Sequence, residues 1–310
     1  MIEAETLTKD YGAKRAVDGL SFTVRPGIVT GFLGPNGSGK STTMRLILGL
    51  DAPSGGRVLV NGKRYRGHAS PLHEVGALLE ARSVHTGRSA QNHLLALAHT
   101  HGISRRRVAD LIDLVGLHDV ARRRAGKFSL GMGQRLGIAT ALLGDPATLL
   151  LDEPVNGLDP EWIHWIRNLL KGLAAEGRTV FVSSHLMAEM ALTADHLIVI
   201  GRGRLIADTS VEDFVRRASG SVVRVRAPEA TRLRDLLLGD GVAVSSPESG
   251  VLEVTGLTTD LVGETAAANA VVLHELTLVQ ASLEEAFMEL TRDDVEYKAG
   301  VVAEPEEVAA

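Results

Sequence analysis

One short stretch constrains this chain more than any other: Gly34-Pro35-Asn36-Gly37-Ser38-Gly39-Lys40-Ser41-Thr42. It fits G-x-x-x-x-G-K-[ST], and its neighbours are the ones that pattern requires. Ahead of it, residues 28–33 are apolar and read as a strand; behind it, a helix is expected from Gly39 or Lys40 to Gly49, where glycine ends it. Glycines in such a loop let consecutive backbone N–H groups turn inward around phosphate oxygens. The helix N-terminus adds a favourable dipole. Lys40 then reaches the β- and γ-phosphates, and the Ser41 hydroxyl is a ligand for Mg²⁺. A glycine-rich turn with a surface lysine is the competing reading, and the strand before and helix after the loop argue against it.

The rest of the first half repeats strand and helix in alternation. Strands are expected at residues 16–24, 57–60, 74–79, 147–151, 179–183 and 196–200, and a helix at 160–175. Between residues 88 and 143 the apolar positions follow helical spacing: Leu94, Leu95, Leu97 and Ala98 on one face, then Val108, Leu111, Ile112 and Val115 on another. This grammar predicts an α/β fold, a doubly wound parallel sheet with a helical insertion. The wholly apolar strand at 147–151 suits a sheet centre. It ends in Asp152 and Glu153, which places Asp152 beside the phosphate loop as a partner of Mg²⁺ and Glu153 where it can polarise an attacking water. A capping pair ahead of Pro154 is the alternative for the two acids taken alone.

After Ser219 the pattern changes to strand, helix, two strands, helix, strand, with strands expected at 221–226, 242–246, 251–254 and 271–276, helices at 230–238 and 258–269, and a closing helix at 282–290. That order predicts a small α+β domain of ferredoxin-like type. The expected organisation is a nucleotide-binding unit over 1–218 with its helical part at about 82–143, an accessory domain over 219–292, and an acidic tail over 293–310 that reads as disordered.

Composition narrows the chemistry. The 310 residues are 45% hydrophobic and 23% charged, enough for a core of about two domains at roughly 100–200 residues each. The absence of cysteine excludes disulfides, thiolate metal sites and thiol nucleophiles. A net charge of −5 and only 4% aromatic residues argue against a nucleic-acid partner. The N-terminus lacks a basic-then-apolar leader. The most apolar stretch, 139–151, is broken by Gly144, Asp145 and Pro146, so no spanning helix is expected. Arg105-Arg106-Arg107 and Arg122-Arg123-Arg124 read as a solvated helix surface, with proximity to anionic headgroups as the sharper alternative.

Further motifs appear in a fixed order around the loop. Tyr11 precedes it; Phe128-Ser129-Leu130-Gly131-Met132-Gly133-Gln134-Arg135, Asn156-Gly157-Leu158-Asp159 and His185 follow. In this order the chain, from about Ile2 to Val215, resembles the ATP-binding subunit of an ABC transporter. The resemblance implies a P-loop NTPase sheet of ABC type with a helical subdomain. It implies ATP and Mg²⁺ as cofactors, with Tyr11 stacking on adenine and residues 34–42 holding the phosphates. Ser129 and Gly131 would be the signature, acting on ATP held by the opposite subunit of a head-to-tail dimer. Asp159 would belong to the D-loop, His185 would be the switch histidine, and Glu153 and His185 would form the catalytic pair. A separately encoded permease, the cytoplasmic face of the membrane as location, and no nucleic-acid partner complete the expectation.

Two departures set the branch. Leu130 and Met132 stand where the family's signature has glycine and glutamine, and Glu80 follows Gly76-Ala77-Leu78-Leu79 where a glutamine is usual. Both resemble ATPases of bacterial exporters of the bacitracin-resistance type. Glu80 either ligates Mg²⁺ directly or weakens the placement of the water. The signature helix is expected to begin near Met132. Rival readings are a DNA-associated ATPase, for which the stretch from Lys40 to Ser129 leaves no room for a coiled coil; a translation ATPase, which carries two phosphate loops; and an importer ATPase, which the signature variant disfavours.

Overall fold

The computed structural model describes residues 1–80, 84–218, 222–279 and 282–291. The tail expected over 293–310 lies outside the described residues. The chain opens with strands β1 (Ile2–Tyr11), β2 (Lys14–Val24) and β3 (Val29–Leu33), helix α1 (Lys40–Ile47), strand β4 (Gly55–Val60), a single turn α2 (Pro71–Glu74) and strand β5 (Val75–Leu78). Helices α3 (Ala90–Thr100), α4 (Arg105–Leu114) and α5 (Leu130–Ala141) form the insertion. Then come β6 (Thr148–Asp152), α6 (Pro160–Ala175), β7 (Thr179–Ser183), α7 (Met187–Thr193), β8 (His196–Gly201), β9 (Arg204–Ser210) and α8 (Val211–Ala218). The last part holds β10 (Val222–Arg226), α9 (Ala230–Leu237), β11 (Ala243–Glu248), β12 (Val251–Thr255), α10 (Thr259–Ala268), β13 (Glu275–Val279) and α11 (Leu283–Thr291).

The central sheet has the order β5-β6-β7-β3-β8-β9 and is parallel except for the β8–β9 hairpin. Its inner strands β6, β7, β3 and β8 are buried on both faces, and alternation splits their side chains between two cores. Phe32, Leu150, Phe181, Ile198 and Ile200 point one way; Leu33, Leu149, Leu151, Val180, Val182, Leu197 and Val199 point the other, towards the helices. Because β7 lies between β6 and β3, the chain segments leaving these three strands emerge side by side at the sheet's C-terminal edge. In an open α/β sheet that edge is where ligands bind.

One face differs from the doubly wound expectation. It is covered by α1 and by a second sheet of order β2-β1-β4, antiparallel throughout, rather than by helices alone. Strand β1 is not apparent in the sequence because its alternation is interrupted. Ile2 and Ala4 face the core, Thr6 takes a left-handed φ of 42°, and Leu7 then restores burial one position out of phase. A bulge of this kind shifts the period by one residue. Phe22 from β2 bridges the two sheets, with its ring centroid 6.0 Å from Phe32 and 5.9 Å from Phe181.

The C-terminal sheet has the order β11-β12-β10-β13, antiparallel throughout, the split β-α-β arrangement expected for residues beyond 219. Val223, Val225, Leu252 and Val254 pack under Leu233 and Leu237 of α9 and Val262 of α10. Two details correct the sequence reading. The last strand begins at Glu275 rather than at residue 271, since Val271 is spent filling the core at the end of α10. The closing helix does not join the accessory domain's core. Leu283, Ala286 and Phe287 of α11 share the large helical core with Phe214 of α8, and α11 also packs on α7. Its apolar stripe at i, i+3, i+4 finds its partner in the first unit, so the expected unit over 219–292 does not hold as one packed body.

Candidate nucleotide site

The phosphate loop leaves β3 and enters α1 as a tight arch. Gly39, with φ of 106°, lies where a Cβ would sit 2.5 Å from the Ala16 carbonyl, and a Cβ on Gly34 would sit 2.5 Å from the Ile200 carbonyl. Glycine is therefore required at both positions by close backbone approach. The Lys40 ammonium folds over the arch and donates to the carbonyls of Gly34 at 2.6 Å and Pro35 at 3.2 Å. Burial lowers its pKa, and the Glu153 and Asp152 carboxylates oppose that shift. The Ser38 hydroxyl is buried without a hydrogen-bond partner among the described residues, which leaves a donor in the wall of the arch.

The loop from Asn36 to Thr42 lines an open cleft of ≈ 430 Å³ together with Tyr11, Lys14, Ala16, Asp152 and Glu153. Asp152 arrives from β6 and accepts a hydrogen bond from Ser41 Oγ at 2.9 Å. Its other oxygen accepts from Ser183 Oγ at the end of β7. Glu153 follows with a left-handed φ of 50°. An L-residue held there costs of order 1–3 kcal/mol and persists only where its surroundings fix it. Here the Glu153 N–H donates to Ser183 Oγ at 3.0 Å and its carboxylate accepts from His185 Nδ1 at 2.6 Å. A carboxylate only accepts, so the proton in that bond sits on Nδ1.

Tyr11 stands at the far rim, 48% exposed, and its hydroxyl donates to Asp51 at 2.7 Å. Asp51 also takes the Arg45 guanidinium at 2.7 Å. Arg45 first and Tyr11 second hold the Asp51 carboxyl down to about 2, while the Tyr11 phenol is raised by the same bond. The ring is thus oriented from behind by α1 and the loop after it. Nothing in the sequence advertises Arg45, Asp51 or Ser183 as part of the site, because each is brought in by the fold over a separation that no local pattern spans.

The remaining candidates gather elsewhere. Helix α5 begins at Leu130 rather than near Met132, because the Ser129 hydroxyl accepts from Met132 N at 3.2 Å and so caps the helix. Asp159 caps α6 in the same way, accepting from Trp162 N at 3.1 Å. The two caps belong to one surface: a Cβ on Gly131 would lie 2.8 Å from the Gly157 carbonyl, and the Leu130 side chain rests on Gly157. Ser129, Gly131 and Asp159 are outside the lining of the cleft of their own chain. Glu80, two residues beyond β5, is exposed and also outside that lining.

Comparison with known proteins gives this geometry a family. The family model described as ABC transporter matches residues 17–156, and a domain of unknown function matches residues 221–284. The chain is 36% identical over 305 residues to the uncharacterised ABC transporter ATP-binding protein YhcH of Bacillus subtilis, covering 96% of this chain and 97% of that protein. It is 39% identical over 220 residues to the bacitracin transport ATP-binding protein BcrA of Bacillus licheniformis, 70% of this chain and 72% of BcrA. Among solved structures, an ATP-binding subunit of an ABC transporter superposes with a TM-score of 0.64 at 28% identity, over 70% of this chain and 92% of that one. With likeness running the length of YhcH, and with the phosphate loop and its acidic partners meeting at one sheet edge, the chain belongs to the ATP-hydrolysing, ATP-binding proteins of ABC transporters.

Proposed function

We propose that this chain is the motor of an exporter, hydrolysing Mg-ATP to drive a separately encoded membrane permease. The observation that carries the reading is the junction at the end of β6, where Asp152 meets Ser41 and Glu153 meets His185 at the mouth of the phosphate loop. Lys40 exchanges the loop carbonyls for phosphate oxygens, a trade favoured because the phosphate oxygens carry negative charge to meet the ammonium whereas the carbonyls are neutral dipoles. Tyr11 offers a face to the adenine. Glu153 orients the attacking water and takes its proton, and His185 holds the carboxylate in place.

The donor set fits magnesium. Ser41 and Asp152 present two hard oxygens that would hold Mg²⁺, a cation that takes few protein ligands. When bound, the ion neutralises charge developing on the β- and γ-oxygens. Glu80 would have to approach from the neighbouring strand to join this set, and the proposal rests on Ser41 and Asp152.

Ser129, Gly131 and Asp159 do not line their own cleft, which supports a role on the nucleotide of a second copy in a head-to-tail dimer. No described helix is long and apolar enough to cross a membrane, which fits a subunit held at the cytoplasmic face by a permease. The signature variant and the likeness to BcrA favour export, of a peptide antibiotic, drug or lipid-like compound. Residues 1–218 serve as the nucleotide-binding unit, and the accessory sheet serves as a brace tied back by α11.

The test combines turnover and assembly. Glu153→Gln should bind ATP and lose hydrolysis by about 10²–10⁴-fold, the usual effect of removing a positioned base. With ATP it should sediment as a dimer, and adding Ser129→Arg should return it to monomer. Near-normal turnover of Glu153→Gln would remove the base assignment; a double variant that still dimerises would remove the signature assignment.

A further inference from the structure

Helix α5 carries a side chain that no motif role accounts for. Gln134 is only 3% exposed, and its Nε2 donates to the Glu153 carbonyl at 2.6 Å. A carbonyl cannot donate, so the amide must present its NH₂ to Glu153. The same carbonyl accepts from Asn156 N at 3.2 Å, the first residue of the D-loop motif. Both lone pairs of one backbone oxygen are thereby used, one by the signature helix and one by the D-loop. On the other side of the residue, the Glu153 N–H is held by Ser183. Glu153 keeps its left-handed φ of 50° between these clamps, and that conformation aims its carboxylate at His185.

From these contacts we infer that Gln134 is a positioning residue for the hydrolytic base, and that it makes the signature helix sensitive to, and felt by, Glu153. Ser129 caps the helix at one end and Gln134 grips Glu153 little more than one turn further on, so the two ends of the contact lie on one rigid element. A shift of the capped end is carried to the Glu153 carbonyl because a helical turn does not stretch. Loss of the amide leaves a buried carbonyl with one donor fewer and frees Glu153 to relax out of the left-handed region, which takes the carboxylate off His185. The inference rests on the reading of Glu153 as the base.

The experiment uses the purified full-length chain, with Gln134→Met as an isosteric side chain lacking a donor, Gln134→Glu as one that donates only when protonated, and Glu153→Gln as the control. Gln134→Met is expected to lower kcat by ~10–10²-fold, as for a misplaced catalytic group, while KM for ATP stays within about twofold. Gln134→Glu is expected to recover relative to wild type as pH falls and its carboxyl gains the proton it needs to donate. A purely structural role would lower the melting temperature without giving the Gln134→Glu to wild-type ratio any pH dependence. If Gln134→Met turns over like wild type while Glu153→Gln is inactive, the clamp is refuted and the base stands. If Glu153→Gln itself is active, the base reading fails first. If Gln134→Met does not fold, the decision passes to Gln134→Glu: a ratio that rises towards acid supports the clamp, and a flat ratio overturns it.

Discussion

Tyr11→Ala should weaken ATP while leaving inorganic triphosphate almost untouched. The ring is half-exposed at the rim of the cleft and its hydroxyl donates to Asp51. The Lys9 ammonium sits over one face, 4.9 Å from the ring centroid, so a base stacks on the other, and base–aromatic stacking is worth roughly 1–3 kcal/mol. At 1.36 kcal/mol per decade, that is about a 5- to 150-fold rise in Kd for ATP. Triphosphate engages the loop alone, so its Kd should change by less than about twofold on the same scale. Tyr11→Phe separates ring from anchor. It keeps the stacking face and loses one bond to a carboxylate that is already paired with Arg45 at the surface, so the loss should stay below about 1 kcal/mol. Calorimetric titration of wild type and both variants with each ligand reads every one of these dissociation constants. Equal losses for ATP and triphosphate in Tyr11→Ala would mean that the residue supports the end of β1 rather than the base, and the stacking argument would fall.

Three further outcomes follow from the same contacts. Lys40→Ala should abolish most of the affinity for triphosphate as well as for ATP, since the ammonium is the cation folded over the loop; an unchanged Kd in either titration would contradict this. The Asp51 carboxyl, depressed from 3.8 to about 2, contributes stability that is present above pH 4 and lost as pH falls through about 2, so the difference in urea midpoint between wild type and Asp51→Asn should shrink across that window. A difference that stays constant with pH would show that the pairing does not survive in solution. Phe287→Ala should cost about 3–5 kcal/mol, as for a buried aromatic, and the loss should register in tryptophan fluorescence. Both tryptophans lie on α6 in the first unit, so a transition that does not move would mean that α11 is not part of that core.

The parts of this protein that were legible in the sequence are those whose chemistry closes within about ten residues. Gly34 to Thr42 can arch because Gly34 and Gly39 have no Cβ to keep other backbone away, and an apolar strand ending in Asp152 and Glu153 delivers those acids to a sheet edge. The helix at Pro160–Ala175 matches its expected limits, with Asp159 as cap and Pro160 at its first position, both local signals. The split β-α-β order of the last part was readable for the same reason, strand by strand.

What only the tertiary structure decided are the contacts between segments distant in the chain. Strand β1 carries no clear sequence signal because the bulge at Thr6 breaks the period that marks a strand, and only pairing with β2 and β4 repairs it. Helix α11 has an apolar stripe that any core would accept, and packing, not pattern, assigned it to α7 and α8. The hold of Ser183 on Asp152 and Glu153, of Asp51 on Tyr11, and of Gln134 on the Glu153 carbonyl all follow from strand order and helix placement. A motif lists the groups that do chemistry, since their residue types are dictated by the reaction. The groups that aim them are chosen by whatever the fold brings within hydrogen-bond reach, and that is information the linear order of residues does not carry.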